Sequence, residues 1–489
     1  MTQADPPGSE TEFAPSFSSV MPGMVWPALT NPAGAVALAL QYQFERTEWW
    51  RPDTLRRHQF RQLDALLQHC FFNVPYYARR LADAGYRPGE SAVEQVWQRV
   101  PVLTREEVQR LGAALISTSD PPGHGRRMAF ETSGSTGRPI AGAQTEHWRH
   151  HWEAVTVRDN LWHRRNLKAR LAALVYPPEG VPSTPDGVEG TIWNIGLAGA
   201  FVNGRSLLFD VNRPIAEQLA WLIKVQPDYL RTYPSVLREL LRDTQGQRPP
   251  VPGLRAVITL GEQLHDGLRE QLREQWNVPL QDIYSSVEVG YLALQCPTGA
   301  HYHVQSEVAL VEILDDNDQP CAPGQIGRVV ATPLQNFAMP LIRYAVGDFA
   351  EFGPPCACGR GLPVLTRVHG RVRNMLTRPD GSVVWPNISV PMSRSKLPIL
   401  QFQAVQRAPA KLDVRLVTAR PLTGAEEDLL RKLLSDGSGV AFEIDFHYLA
   451  SIPRHARGKY EDFYSEVASA QASNSAASNG AASSNPVPA

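Results

Sequence analysis

The chain has 489 residues, with 48 Lys and Arg against 49 Asp and Glu, a net charge of −1 and a hydrophobic share of 43%. That length supports two or three domains around a large core, and the charge balance excludes the basic footprint of a nucleic-acid binder or a polybasic membrane-surface protein. No basic-then-apolar leader opens the chain, the apolar run Ala33 to Leu40 is too short to span a bilayer, and five cysteines make no disulfide framework, so a cytoplasmic protein is expected.

Residues 1 to about 30 are Pro/Ser-rich with scattered aromatics, and the expectation is a disordered or surface-draped N-terminus. From Gln43 to about Leu111 the pattern is helical. Leu63, Leu66, Leu67 and Cys70 recur at helical spacing, so Cys70 reads as a buried thiol, and Asn73-Val-Pro-Tyr-Tyr77 is expected to end that helix. Next comes Thr132-Ser-Gly-Ser-Thr-Gly-Arg-Pro139. Its hydroxyls, amides and glycines suit an anion cradle, without the lysine that a Walker loop requires. The other reading is a Ser/Thr/Gly-rich surface loop. His147 and His151 stand i, i+4, as a metal pair would, but Trp148, Trp152 and Val155 make a core stripe that the histidines flank, and that reading is preferred.

Strand-sized runs then alternate with helix-sized ones. Strands are expected at Leu171 to Tyr176, Ser206 to Phe209, Tyr229 to Thr232 and Ala256 to Leu260, and helices at Ile215 to Val225, Ser235 to Asp243 and Leu264 to Trp276. The alternation predicts an α/β fold with mainly parallel sheets covered by helices. From Val304 to Ala350 the pattern turns to β, with Val308 to Ile313, a turn at Asp315 to Asp318, and Gly327 to Thr332. The expected division is a large domain over 31–370, a smaller α+β domain over 371–467, and a disordered Ala/Ser/Asn/Pro/Gly tail over 468–489.

Four motifs follow the hydroxyl-rich loop in order: Gly261-Glu262-Gln263, Tyr284-Ser285-Ser286-Val287-Glu288, Arg343 to Asp348, and Pro453-Arg-His-Ala-Arg-Gly-Lys459. Each suits a piece of adenylation chemistry. Glu288 can hold Mg²⁺ through hard oxygen ligands, Tyr284 offers a face for adenine, and Asp348 can accept ribose hydroxyls. Lys459 can neutralise charge developing between the α-phosphate and an attacking carboxylate. Singly these are common turn residues; the ordered set is specific.

In these motifs the chain resembles the adenylate-forming superfamily of acyl-CoA synthetases, adenylation domains and luciferases. Within it the chain is similar to the phenylacetate–CoA ligase-like branch, on Tyr76-Tyr77, Tyr233-Pro-Ser235 and Cys356-Ala-Cys-Gly-Arg360 before Gly370-Arg371. The resemblance covers roughly residues 45–465. It implies a large N-terminal domain of β/α subdomains plus a β-rich subdomain, and a small, mobile C-terminal α+β lid. It also implies ATP-dependent conversion of a carboxylic acid to an acyl-adenylate, then transfer to a thiol, most simply coenzyme A. Carried over by motif, Ser133, Ser135, Thr136 and Gly137 contact phosphate, Gly261, Glu262 and Gln263 form the adenine-side loop, and Arg371 accompanies the nucleotide. Tyr284, Glu288, Asp348 and Lys459 keep the roles given above.

Two positions depart from the family pattern. Val287 stands where Ser or Thr usually precedes the Mg²⁺ glutamate, leaving a phosphate contact to Ser285 or Ser286, and Asn374 stands for the hinge Asp. They keep open an adenylate passed to an amine or a carrier protein, or a nucleotide-binding partner without turnover. Cys296, His303, Cys356 and Cys358 make a C-x6-H plus C-x-C set suited to structural Zn²⁺, which members of the branch carry at corresponding positions. His301 is an alternative ligand, and Cys321 the odd thiol out. Unrelated residues remain the competing account. Trp193 to Gly204, with Trp193 and Phe201, and Tyr233-Pro-Ser235 are expected to line an apolar acyl pocket for an aromatic or arylacetic acid. No nucleic-acid or membrane partner is expected, and a monomer or homodimer is.

Overall fold

The computed structural model describes residues 16–132, 139–190, 193–244, 246–265, 267–386, 397–454 and 459–467. Two compact units emerge. One is Met1–Tyr233 with Pro249–Gly261 and Val278–Val368; the other is Pro234–Arg248 with Glu262–Asn277 and His369–Ala489.

In the first unit the chain enters through helices α1 (Pro32–Thr47), α2 (Pro52–Asn73), α3 (Pro75–Asp83), α4 (Val93–Val96) and α5 (Arg105–Leu111). Proline opens α1, α2 and α3, where its missing N–H costs nothing. α2 buries Leu63, Leu66, Leu67 and Cys70 as the spacing predicts. Its end differs from the expectation in one respect. Pro75 restarts a helix at once, so Tyr76 and Tyr77 lie in the first turn of α3 rather than in a helix ending, and Tyr77 is fully buried. The segment 16–20 is not loose: Ser18 N donates to Ala200 O and Val202 N to Ser16 O.

A hairpin of β1 (Arg127–Glu131) and β2 (Ala141–Thr145) flanks the hydroxyl-rich loop and leads into α6 (Glu146–Trp162). Then follow β3 (Leu171–Val175), β4 (Val188–Gly190), α7 (Ile195–Ala200), β5 (Ser206–Asp210), α8 (Ile215–Val225) and β6 (Tyr229–Thr232). Helix α9 (Pro234–Asp243) belongs to the second unit, β7 (Ala256–Leu260) to the first, and α10 (Leu268–Trp276) to the second. The first unit continues with β8 (Leu280–Ser286), β9 (Gly290–Gln295), β10 (Tyr302–Val304), β11 (Ala309–Leu314), β12 (Ile326–Pro333), β13 (Tyr344–Phe352) and β14 (Val364–Arg371). Among the described residues these strands form one twelve-stranded sheet, ordered β11-β12-β13-β14-β10-β9-β8-β7-β6-β3-β5-β4. β5, β3, β6, β7 and β8 are parallel neighbours, as the β/α alternation predicts, and β8 to β9 begins the antiparallel half.

The second unit contains α9, α10, a small ladder of β15 (Leu376–Thr377) and β16 (Val383–Val384), and the strands β17 (Ile399–Ala408), β18 (Lys411–Thr418), β19 (Glu443–Tyr448) and β20 (Phe463–Ser465). The last four form a sheet in the order β19-β18-β17-β20. Helix α11 (Gly424–Ser438), started by a Thr423/Glu426 capping box, buries Leu430 and Leu434 against Phe402, Leu412, Val414 and Ile444. α9 is tied to this sheet by Arg238, paired with Asp462, and by Arg242, which donates to Leu400 O.

Candidate functional site

Glu288 sits at the tip of the β8–β9 hairpin. Gly290, at φ +99°, makes the turn, and Val289 buries its side chain in the main core, so the tip is held down. Ser286 Oγ accepts from Val289 N at 3.1 Å, which leaves its own proton available. Val287 turns outward, 43% exposed, and its carbonyl takes the Gln144 amide of β2 at 2.8 Å.

The Glu288 carboxylate is itself buried. Tyr344 OH donates to Oε1 at 3.3 Å, and Arg105 Nη1 lies 3.8 Å from that oxygen. Arg105 opens α5, and its Nη2 donates to Thr132 Oγ1 at 3.3 Å. Thr132 closes the root of the hydroxyl-rich loop, accepting from Ile140 N at 2.9 Å. One guanidinium therefore bridges the loop root and the glutamate. Ser133, Ser135, Thr136 and Gly137 themselves lie outside the described residues. Arg105 and Gln144 were not marked by sequence reasoning, since no local pattern distinguishes them, and Tyr344 lies inside the Arg343 to Asp348 motif but was given no role.

Asp348 is placed by an irregularity in β13. Arg328 and Val330 of β12 pair with Phe349 and Ala345, so Val346, Gly347 and Asp348 bulge from the ladder, with Gly347 at φ +91°. Such a bulge re-aims a side chain that regular pairing would fix. Asp348 Oδ2 accepts from Tyr284 OH at 2.9 Å, so the structure brings together the two residues assigned to the nucleoside.

In the second unit, Glu262 is a strut. Its Oε1 accepts from Tyr460 N at 2.7 Å and its Oε2 from Ser235 N at 3.0 Å. Burial pushes its carboxyl up, while Arg454 and the two amides pull it down. Tyr460 follows Lys459 directly, and Tyr460 OH donates to Phe402 O at 2.7 Å, so the end of the Pro453–Lys459 motif is anchored and Lys459 is half-buried. Gln263 packs beside Gly370, whose φ of +90° disfavours any side chain. Gly261 ends β7 at φ +77°. Arg371 N donates to Asn374 Oδ1 at 3.2 Å, and Asn374 Nδ2 donates to Phe463 O at 2.7 Å. Asn374 thus accepts and donates at once, which an ionised Asp cannot do.

The cysteine–histidine set converges. Ligand atoms of Cys296, His303, Cys356 and Cys358 all lie within 4.8 Å of one another. Cys296 Sγ and Cys356 Sγ are 3.8 Å apart, and Cys358 Sγ is 3.4 Å from His303 Nε2. Two thiolates on a tetrahedral ion with bonds of about 2.3 Å stand about 3.8 Å apart, so the spacing fits Zn²⁺ and is far too long for a disulfide. His303 Nδ1 faces Leu362 O at 3.4 Å, the arrangement that leaves Nε2 as the ligand atom. His301 Nε2 lies 3.0 Å from Cys356 Sγ, beside the set. Cys321 is elsewhere, near Ile326 O. Among the described residues no other such group forms. His147 and His151 instead stack edge to face at 4.6 Å, with His124 against His147 at 4.7 Å.

The expected acyl wall needs correction. Trp193 is 4% exposed, donates to Ala169 O at 2.9 Å and packs on Tyr229; Phe201 is 2% exposed and packs on Phe17. Both are core side chains, held there by the burial of large aromatic area.

No family model matches the chain. Over 353 residues it is 25% identical to a phenylacetate–coenzyme A ligase of Pseudomonas putida, covering 66% of this chain and 72% of that one. A phenylacetate–coenzyme A ligase of Thermus thermophilus is likewise 25% identical over 334 residues, with the same shares. Among solved structures, 2-hydroxyisobutyryl-CoA ligase in its postadenylation state superposes with a TM-score of 0.67 at 19% identity, over 89% of this chain and 94% of that one. The anthranilate CoA ligase AuaEII superposes with a TM-score of 0.51 at 15% identity, over 72% and 68%. These structural likenesses bear on the fold alone.

Proposed function

We propose that this chain, similar in sequence to phenylacetate–coenzyme A ligases, is an adenylate-forming enzyme of that branch, which activates a carboxylic acid with ATP and passes the acyl group to coenzyme A. A carboxylate oxygen attacks the α-phosphorus, the bond to the β-phosphate breaks, and pyrophosphate leaves. The thiolate of coenzyme A then attacks the acyl carbon, AMP leaves, and the thiol proton goes to solvent.

The observation that supports this most is the Arg105 bridge, which holds the buried Glu288 beside the root of the loop that carries Ser133, Ser135, Thr136 and Gly137. In this reading those four residues donate to the phosphates, Ser286 replaces the hydroxyl that Val287 lacks, and Glu288 would hold Mg²⁺. That ion neutralises phosphate charge when bound. Asp348, oriented by Tyr284, takes the ribose hydroxyls, with Gly261, Glu262, Gln263 and Arg371 around the nucleoside. Lys459 stabilises the charge that develops during attack on the α-phosphate. Cys296, His303, Cys356 and Cys358 would hold Zn²⁺; four protein ligands leave it no open position, so its role is structural.

Acid-dependent exchange of pyrophosphate into ATP tests the reading. Phenylacetate, for which both sequence relatives are named, and substituted arylacetates lead the acid panel. Exchange followed by acyl-CoA on adding coenzyme A is the expected result. Exchange without acyl-CoA points to an amine or carrier-protein acceptor, and ATP binding with no exchange for any acid refutes adenylation.

A further inference from the structure

β6 lies between β3 and β7 in the parallel half of the sheet, with Arg231 opposite Ala173 and Ile258. Its surroundings are closed: Tyr229 is 5% exposed, and Leu230, Thr232 and Ile258 are fully buried. Arg231 is strongly desolvated by them, yet unlike them it is only half-buried.

Among the described residues the Arg231 guanidinium makes no hydrogen bond and no ion pair. Arg158, Arg165 and Arg343 are fully buried, and each holds a carboxylate: Glu307, Asp159 and Glu312. The acid that bears on Arg231 is Asp159, and it is taken. Arg165 Nη1 reaches Asp159 Oδ2 at 2.5 Å, and His163 Nε2 lies 3.6 Å from Oδ1. Tyr291 stays neutral, its phenol pushed up to about 12 by burial, with its OH 3.0 Å from Thr156 Oγ1. The neighbourhood is left one positive charge in excess. A desolvated guanidinium with five donors and no acceptor among the described side chains offers its fork to an anion that can reach it.

Ligands of open α/β sheets bind at the carboxyl ends of the parallel strands, and Arg231 stands one residue from that end of β6. We propose that Arg231 is the anion-binding end of the acyl site, and that the acid this enzyme activates carries a second carboxylate, gripped by the guanidinium fork. The inference rests on the carboxylate-activating reading above. The gripped group is the distal one, because a carboxylate whose lone pairs are taken by a guanidinium is a poor nucleophile.

The test compares matched acids of graded length, such as phenylacetate against 1,4-phenylenediacetate and hexanoate against adipate. Wild type, Arg231→Met and Arg231→Lys are followed by pyrophosphate exchange and by thermal shift without ATP. Wild type should prefer the diacids on the order of 10- to 100-fold in kcat/KM, the Met variant should lose that preference, and Lys should keep part of it. The Met variant should melt at or above wild type without ligand, because it removes an uncompensated charge. A wild-type preference for monoacids that Arg231→Met leaves unchanged overturns the proposal, as does a Met variant that melts well below wild type. A diacid thermal shift lost in the Met variant, with no exchange for any acid, supports the site and refutes adenylation instead. No diacid shift in wild type overturns the site whatever exchange shows.

Discussion

Glu262→Gln replaces one acceptor with a donor and changes the shape of the side chain very little. The carboxylate now serves two backbone amides, Tyr460 N at 2.7 Å and Ser235 N at 3.0 Å. A carboxamide can accept from one of them, and its NH₂ must then face the other N–H. Leaving one buried amide unpaired costs about 1–3 kcal/mol. If that cost falls on the segment ending at Lys459, the population with the lysine held in place drops by about 5- to 150-fold. Pyrophosphate exchange should fall by that factor, while ATP affinity, measured by equilibrium dialysis, falls by less, because the assigned phosphate contacts are untouched and only the nucleoside-side loop is altered. Glu262→Ala, which strands both amides, should fall further. Exchange within twofold of wild type in Glu262→Gln, with an unchanged Tm, would refute the strut.

Three other outcomes follow from the geometry. Purified protein should carry about one Zn²⁺ per chain by elemental analysis, and Cys358→Ser should lose the metal and lower Tm, since a closed four-ligand site contributes directly to folding. Burial keeps His151 neutral down to about 4, below its ordinary 6.5, with His147 and His124 also lowered. An unfolded imidazole therefore takes its proton first on acidification, so its contribution is complete above about 6.5 and is lost as pH falls toward 4. At most this is about 3 kcal/mol, and His151→Gln should flatten that part of the Tm–pH curve. Asn374→Asp removes the donor to Phe463 O and sets a carboxylate against it, for a loss of about 1–3 kcal/mol by denaturant titration; unchanged stability would show that the amide contact is idle.

The parts of the fold legible in the sequence were those written in local pattern. β7 falls at the predicted residues because an apolar run bounded by turn residues suffices to mark a buried strand, and β6 does so through its place in the β/α alternation. α10 begins at Leu268 instead of Leu264 because Gly267, at φ +86°, delays the first turn. Pro75 was legible as a stop, but not as the start of α3, because proline serves either role and the choice is made by Tyr77 burying itself under Ile342 and Pro340. Site residues in motifs were legible for the same reason. Arg105, Gln144 and the acceptor role of Glu262 were not, because each acts across a contact between distant segments. Trp193 and Phe201 misled because an aromatic beside glycines reads alike whether it faces a ligand or the core.

Because the second unit draws α9 and α10 from two earlier stretches of the chain, it has no contiguous gene segment of its own. A polypeptide begun at His369 would present Asp462 without Arg238, the Tyr460 amide without Glu262, and Arg454 without Glu239, its partner at 2.5 Å. Dissection of this protein by truncation would therefore report on broken packing rather than on a module. Separate expression of the two halves should recover activity only by complementation; a cut between Asp316 and Asn317, in the exposed turn after β11, parts β12, β13 and β14 from the rest of the first unit's sheet, and α9 and α10 from the rest of the second unit.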